Sequence, residues 1–292
     1  MIMEDDDELL QQAILQSIHG ASGTLPSIPI SESHGELVSN SHVSQYSFEG
    51  GRSACTIIAT IAAAEALGGS IQDFNESSIV NWVARGVECY GSINSVGGFS
   101  QEHTSLDDVW GHESLRSITG DLQRGPLING VVGRSAFQGM IFDARNSVPQ
   151  DGSPMDGSFD VALVITKPPE TVMLALCRGN SESILFDSHN RPMRGFEGAH
   201  ALRFKTDADA AAGLCELFPA VQGMEDFGFA GEMMNQFDAT PLFLEVSTGS
   251  SVPKVQIPAA DIQLPPDNTE AKDADAEELQ RAIELSMSTT DQ

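Results

Sequence analysis

The sequence predicts an α+β domain carried between two short helical tails, and three observations support that expectation. An apolar, alanine-rich segment from Cys55 to Leu67 is framed by Gly50-Gly51 and Gly68-Gly69, the start and stop signals of a buried helix. Four β-rich runs separated by turn residues follow between Phe159 and Phe204. One acidic helical pattern occurs near both ends of the chain, outside the region of core-forming composition. Helices first and a run of strands second is the α+β order.

At 292 residues and 40% hydrophobic content, the chain can bury one sizeable core and still leave tails. Its formal net charge of −27, from 42 acidic against 15 basic residues, repels nucleic acid and anionic membrane surfaces and favours neutral or basic protein partners. The longest apolar run, Thr56 to Leu67, is shorter than the roughly 20 residues a membrane span requires, and it contains Thr60 and Glu65. The first residues are acidic where a signal peptide is basic, so the expectation is an intracellular chain, cytoplasmic or nuclear. Cys55, Cys89, Cys177 and Cys215 lie far apart with no CxxC spacing, which indicates neither a zinc site nor a disulfide framework; no cofactor is expected.

The first expected element is a helix over 3–19. Leu10, Ala13, Ile14 and Ser17 fall on one face behind an acidic cluster that suits the positive end of the helix dipole. Residues 20–40, rich in Ser, Gly and Pro, read as a linker. The folded domain is expected over 41–246. After the Cys55 helix it has helices near Ile71–Val87 and Ser105–Ile118, with a glycine-rich loop, Gly91–Gly98, between them. Strands at 159–166, 171–177, 183–187 and 199–204 should pair as an antiparallel meander, followed by a helix at 207–217 and a last strand at 240–246. A second linker, 247–273, leads to a helix over 274–289, where Leu279, Ala282, Ile283 and Ser286 repeat the N-terminal pattern at the same offsets.

An acidic cluster followed by Leu-x-x-Ala-Ile-x-x-Ser resembles the ubiquitin-interacting motif, a single helix that docks on the hydrophobic patch of ubiquitin. The residue types fit that task. The small Ala lets the helix approach a flat apolar surface, Leu and Ile fill its edges, and the acids face a basic rim. Helices this short are marginal alone in water, so a partner surface is implied. The resemblance makes ubiquitin and polyubiquitin chains the expected partners, bound through Leu10, Ala13, Ile14, Ser17, Leu279, Ala282, Ile283 and Ser286.

Chemistry is expected in the domain between these tails. Cys55 stands in the first turn of its helix, where unpaired amides and the helix dipole favour a thiolate. Of the seven histidines, His189 has the best surroundings, because Asp187 two residues earlier at a strand end can point to the same side and orient the imidazole. Gln45, ten residues before Cys55, is the best-placed amide to join the Cys55 backbone N–H as an oxyanion donor. His200, on an expected strand, reads as a core histidine. His103 and His112 flank a helix near Asp107 and Asp108, and the other three cysteines read as packed core residues.

Gln45, a glycine-led Cys55 helix and Asp187-Ser188-His189 together resemble the papain-like deubiquitinases of herpesvirus large tegument proteins and their cellular, viral-tegument-like relatives. The resemblance covers roughly His42 to Arg203 and departs from that group at Ser53-Ala54, where a Gln often precedes the cysteine. It implies a papain-like cysteine protease domain that cleaves isopeptide bonds after the C-terminal glycine of ubiquitin. Cys55 is then the nucleophile, His189 the base, Asp187 the orienting acid and Gln45 the oxyanion donor. Two alternatives stay open at the level of sequence: a non-catalytic ubiquitin-binding adaptor, and a cysteine protease for another ubiquitin-like modifier.

Overall fold

A computed structural model describes residues 35–97, 104–120, 122–147, 158–177, 179–221 and 233–244, all within the compact unit Gly35–Gln292. The two expected tail helices, with their eight ubiquitin-facing residues, and the linker 247–273 lie outside these residues.

The expected meander is present. Strands β4 (Phe159–Lys167), β5 (Glu170–Cys177), β6 (Ser183–Asp187) and β7 (His200–Phe204) pair antiparallel in sequence order. Their residues are apolar at nearly every position rather than at alternate ones, which is the signature of a sheet covered on both faces. In β5, Met173, Ala175 and Cys177 point into one apolar cluster, while Val172, Leu174 and Leu176 point into the other. β1 (Glu36–Asn40) extends the sheet beyond β7. On the far side β8 (Gln236–Leu244) pairs with β4, and both β2 (Leu122–Arg124) and β3 (Ile128–Val131) pair with β8.

Helix α1 (Cys55–Leu67) lies against β4, β5 and β6 on the first face. Eleven of its 13 residues are buried, Ile57, Ile58 and Ile61 fully. A helix apolar all round has no solvent face and must run through the core. It is enclosed by α2 (Glu76–Ser95), α3 (Leu106–Trp110) and α4 (Glu113–Thr119). The opposite face is covered by α5 (Arg134–Ser147) and α6 (Asp207–Leu217), which pack on each other. None of the described helices is long and apolar enough to cross a membrane.

Several expectations need correction. β1 occupies the end of the stretch read as linker 20–40. It is short, with Leu37 half-exposed and Ser39 buried, so it carries no apolar alternation, and its pairing with β7 makes it a strand. The expected loop Gly91–Gly98 is helical as far as Ser95, because Val83, Val87, Tyr90 and Ile93 continue the buried stripe of α2. That helix starts at Glu76, where the Asn75 side chain accepts the Ser78 N–H at 3.1 Å, and Ile71–Asp73 is a separate 3-10 turn. The helix expected over 105–118 divides into α3 and α4 at Gly111-His112. The last strand starts at Gln236, not Thr240. Helix α5 was not expected: Phe137, Met140, Ile141 and Ala144 mark one face at helical spacing, but polar residues isolate them in the sequence.

The close contact of α1 with α2 depends on Gly86. A Cβ there would collide with the Ile58 side chain and lie 2.9 Å from Ile58 Cα, a backbone atom that cannot rotate away. Ala gains up to about 1 kcal/mol over Gly in helix propensity, whereas overpacking a tight core costs about 1–3 kcal/mol. Gly86→Ala is therefore expected to lower the denaturant midpoint despite the better helix former. An unchanged or raised midpoint would show that the α1–α2 contact has slack.

Candidate active site

Two tight turns deliver Cys55. Gln45–Ser47 forms a 3-10 turn in which Ser44 and Ser47 make a reciprocal capping box. Gly51–Ser53 forms another, entered through Gly50 at φ +74°, a left-handed conformation that glycine adopts without strain. The turns press together so closely that a Cβ on Gly51 would strike the Gln45 carbonyl oxygen. Cys55 then opens α1, and its amide is among the first-turn N–H groups with no intrahelical acceptor.

On the sheet side β6 ends at Asp187, so strand alternation does not set the position of His189. A local turn does so instead. One Asp187 carboxylate oxygen, Oδ1, accepts both the His189 backbone N–H at 2.9 Å and ring Nδ1 at 2.6 Å. With Nδ1 donating to the carboxylate, Nε2 is the atom left to face Cys55. Both side chains are almost fully buried. Burial alone would push the His189 pKa down, but the Asp187 charge and hydrogen bond outweigh it, with help from Cys55, and hold the imidazole well above its ordinary range. For Asp187, likewise, burial is overcome by His189 and then Arg191, and the carboxyl stays ionised far below the usual carboxylate range.

Cys55 is 4% exposed. Burial raises its pKa, but the hydrogen bond and charge of His189, followed by the proximity of Thr171, bring it below the ordinary thiol value. The other thiols go the opposite way. Cys89 and Cys177 are each pushed up to about 11, by burial and then by a neighbouring glutamate, and burial also raises Cys215. Only Cys55 among them has the electrostatics of a nucleophile.

Gln45 joins the two halves. It is fully buried, its Nε2 donates to the Arg52 carbonyl at 3.0 Å, and its Oε1 accepts the Ser188 hydroxyl at 2.8 Å. Its backbone N–H also donates to the Ser188 carbonyl at 3.0 Å. These partners fix the amide orientation, since a flipped carbonyl would face the Arg52 oxygen. The second Nε2 proton is not used by either contact.

Four further residues meet at this site without a sequence signal of their own. The half-exposed Tyr46 ring lies 5.9 Å from the His189 ring, tilted by 53°, and covers one side of the imidazole. Thr171 heads a hydroxyl chain. Thr56 must donate to the Thr104 carbonyl at 2.6 Å, so in its 3.0 Å contact with Thr171 the proton comes from Thr171, which accepts in turn from Thr166 at 3.0 Å. Arg191 and Glu170 complete the set: Arg191 Nε donates to Asp187 Oδ2 at 2.8 Å and its terminal nitrogens to Glu170 at 2.9 and 2.8 Å. Glu170 and Thr171 come from β5, and only sheet register carries them to the end of β6.

The remaining candidates lie elsewhere. His200 is buried opposite Asp187 in the β6–β7 register and stacks on Phe196 at 4.0 Å. Asp107 pairs with Arg124 and Asp108 caps α3 through Ser105, while His103 lies outside the described residues. Among the described residues no group of three or more His, Cys, Asp and Glu is placed to hold a metal ion.

The pKa directions imply a thiolate–imidazolium pair, stable between the lowered Cys55 pKa and the raised His189 pKa. Alkylation of Cys55 by iodoacetamide should therefore persist at pH values well below the roughly 8.5 of a free thiol. Asp187→Asn removes the charge that holds the imidazolium, so the His189 pKa falls and that of Cys55 rises. The onset of alkylation should move to higher pH. An unchanged onset would mean that Asp187 does not set the charge state of the pair.

Comparison with known proteins adds two findings. Residues 5–20 and 277–290 each match the ubiquitin interaction motif. No curated protein matches the chain. Among solved structures, the chain is similar to the ubiquitin-specific protease encoded by a murine cytomegalovirus tegument protein, determined in complex with a ubiquitin-based suicide substrate. That likeness has a TM-score of 0.50 at 13% identity and covers 75% of this chain and 90% of the viral one. At such identity the shared property is the fold: this α+β chain is built like a viral ubiquitin-specific protease and carries a ubiquitin interaction motif near each end.

Proposed function

We propose that the chain is a papain-like, cysteine-dependent deubiquitinase that hydrolyses the isopeptide bond after the C-terminal glycine of ubiquitin, with its tail motifs holding ubiquitin or ubiquitin chains. The observation that carries this reading is the buried Cys55–His189–Asp187 arrangement, in which the Cys55 pKa is lowered and the His189 pKa raised. The tail motifs give that chemistry its substrate class.

In this reading the Cys55 thiolate attacks the carbonyl of the terminal glycine. The developing oxyanion takes the Cys55 backbone N–H and the free Nε2 proton of Gln45. Imidazolium His189 gives its Nε2 proton to the departing lysine amine as the C–N bond breaks, leaving a thioester on Cys55. Neutral His189 then takes a proton from water, hydroxide adds to the thioester carbonyl, and the C–S bond breaks to release ubiquitin and the Cys55 thiolate, while His189 keeps the proton. Throughout, Asp187 holds the imidazole with Nδ1 protonated.

Ubiquitin bearing a C-terminal electrophile should form a covalent adduct with the protein, lost on Cys55→Ala. An adduct that survives this substitution would move the nucleophile away from Cys55, and no adduct with folded wild-type protein would leave the adaptor reading. A panel of probes built on other modifiers separates ubiquitin from its relatives.

A flexible coil of the length expected for the linker 247–273 would have a root-mean-square span of roughly 30 Å, about one ubiquitin diameter. The C-terminal motif thus places a neighbouring ubiquitin of a chain within reach of Cys55 and raises its effective concentration. Truncation after Val246 should slow cleavage of ubiquitin chains more than cleavage of a small fluorogenic ubiquitin substrate. Equal losses on both would reject this role for the tail.

A further inference from the structure

We propose that Arg191, gripped by Glu170, is a positioning residue that locks the Asp187 carboxylate and ties the His189 loop to the turn beside Cys55. This inference rests on the catalytic reading above. Asp187 has no exposure, so each of its oxygens must find a partner inside the protein. Oδ1 has two donors, both from His189. Oδ2 has the Arg191 Nε at 2.8 Å. Without Arg191 the carboxylate would keep partners on one side only and could rotate about its Cβ–Cγ bond, releasing the imidazole.

Arg191 is itself immobilised at both ends. Its backbone N–H donates to the Phe196 carbonyl at 2.7 Å, and its carbonyl accepts the Phe196 N–H at 3.0 Å. Its guanidinium meets Glu170 in a two-pronged contact at 2.9 and 2.8 Å. A planar fork can serve two carboxylates at once along different edges; a lysine ammonium, a point charge on a flexible stem, cannot reproduce this.

The position of Glu170 gives the bridge its reach. On one side of it, the Pro169 carbonyl lies 3.9 Å from Cys55 Sγ. On the other, Thr171 is close enough to the thiol to help hold its pKa down. Glu170 therefore sits between two residues of the β4–β5 turn region that neighbour Cys55, and Arg191 connects it to the acid that orients the base. The distance between Sγ and the imidazole is set through this connection as well as through Gln45.

The charged and titratable groups around His189 are Cys55 from α1, Tyr46 from its turn, Asp187 at the end of β6, Glu170 on β5, His200 on β7 and Arg191 itself. Loss of Arg191 has two opposite consequences for the base. Removing a nearby cation favours the imidazolium, whereas release of Asp187 disfavours it. If Arg191 positions, release dominates.

The test uses the full chain with Arg191→Met, Arg191→Lys and Glu170→Gln, each checked for folding by near-UV circular dichroism. On a fluorogenic ubiquitin substrate, Arg191→Met should lower kcat by about 10- to 100-fold, the scale of a misplaced catalytic group, with KM little changed. Its basic pH limb should fall toward that of Asp187→Asn. Arg191→Lys should fail to restore the rate. Glu170→Gln should lose less than Arg191→Met and add nothing in the double variant, as expected for two residues acting through one connection. Unchanged kcat, or a basic limb that rises, in folded Arg191→Met would overturn the proposal. If Arg191→Met does not fold, Arg191→Lys and Glu170→Gln decide by the same readouts. The pH onset of Cys55 alkylation needs no substrate: it should rise in Arg191→Met even if ubiquitin turnover is absent. A protein without turnover that shows this rise contradicts the deubiquitinase reading alone, and an active one without it contradicts only the role of Arg191.

Discussion

A carboxylate with no access to water is the constraint from which the site follows. Asp187 is fully buried and ionised, a state that a protein sustains only when charged donors surround the group. Here one oxygen is held by His189 and the other by Arg191. Those two contacts fix the imidazole tautomer, hold its charge and draw in Glu170, and with it the turn beside Cys55. Desolvation, which would otherwise neutralise all these groups, makes their mutual attraction strong.

Cys55 reaches the same place by a different route. All of α1 but Ala64 and Glu65 is buried, so its position is set by packing, with Gly86 allowing α2 to close over Ile58. A helix held this way is a rigid mount for its first residue. Thr56 strengthens the mount beside Cys55, because its hydroxyl is committed to the Thr104 carbonyl and receives Thr171 from the sheet. Gln45 then closes the gap between helix and sheet, with one end of its amide on the turn before Cys55 and the other on Ser188. Apolar packing thus supplies the coarse placement, and buried hydrogen bonds supply the fine one.

Much of the fold was legible because its physical cause is local. The start of α1 at Cys55, the limits of β6 and α6, and the meander from β4 to β7 follow from glycine stops, turn residues and continuous apolar runs. Where the cause is not local, the reading failed. β1 is a strand because β7 offers it an edge, and the C-terminal half of α2 is helical because Tyr90 and Ile93 meet the core across a stretch that glycine and serine made look loop-like. Asp187 and His189 were identifiable as a pair, although through strand alternation; the actual device is a turn after the strand has ended.

The sequence by itself singled out Cys55, the Asp187–His189 pair and the two tail segments that match the ubiquitin interaction motif. A cysteine at a helix start, an Asp-x-His and a repeated acidic Leu-x-x-Ala-Ile-x-x-Ser pattern are short-range facts, written in neighbouring letters. Only the tertiary structure decided which groups surround Cys55 and His189. Thr171, Glu170 and Tyr46 are ordinary residues in their own stretches, and Arg191 is an ordinary surface cation until Glu170 arrives from the neighbouring strand. Desolvation and Coulomb attraction depend on distance in space, and sheet register together with the burial of α1 is what converts sequence separations from 21 residues, for Glu170 and Arg191, to 143, for Gln45 and Ser188, into hydrogen-bond distances.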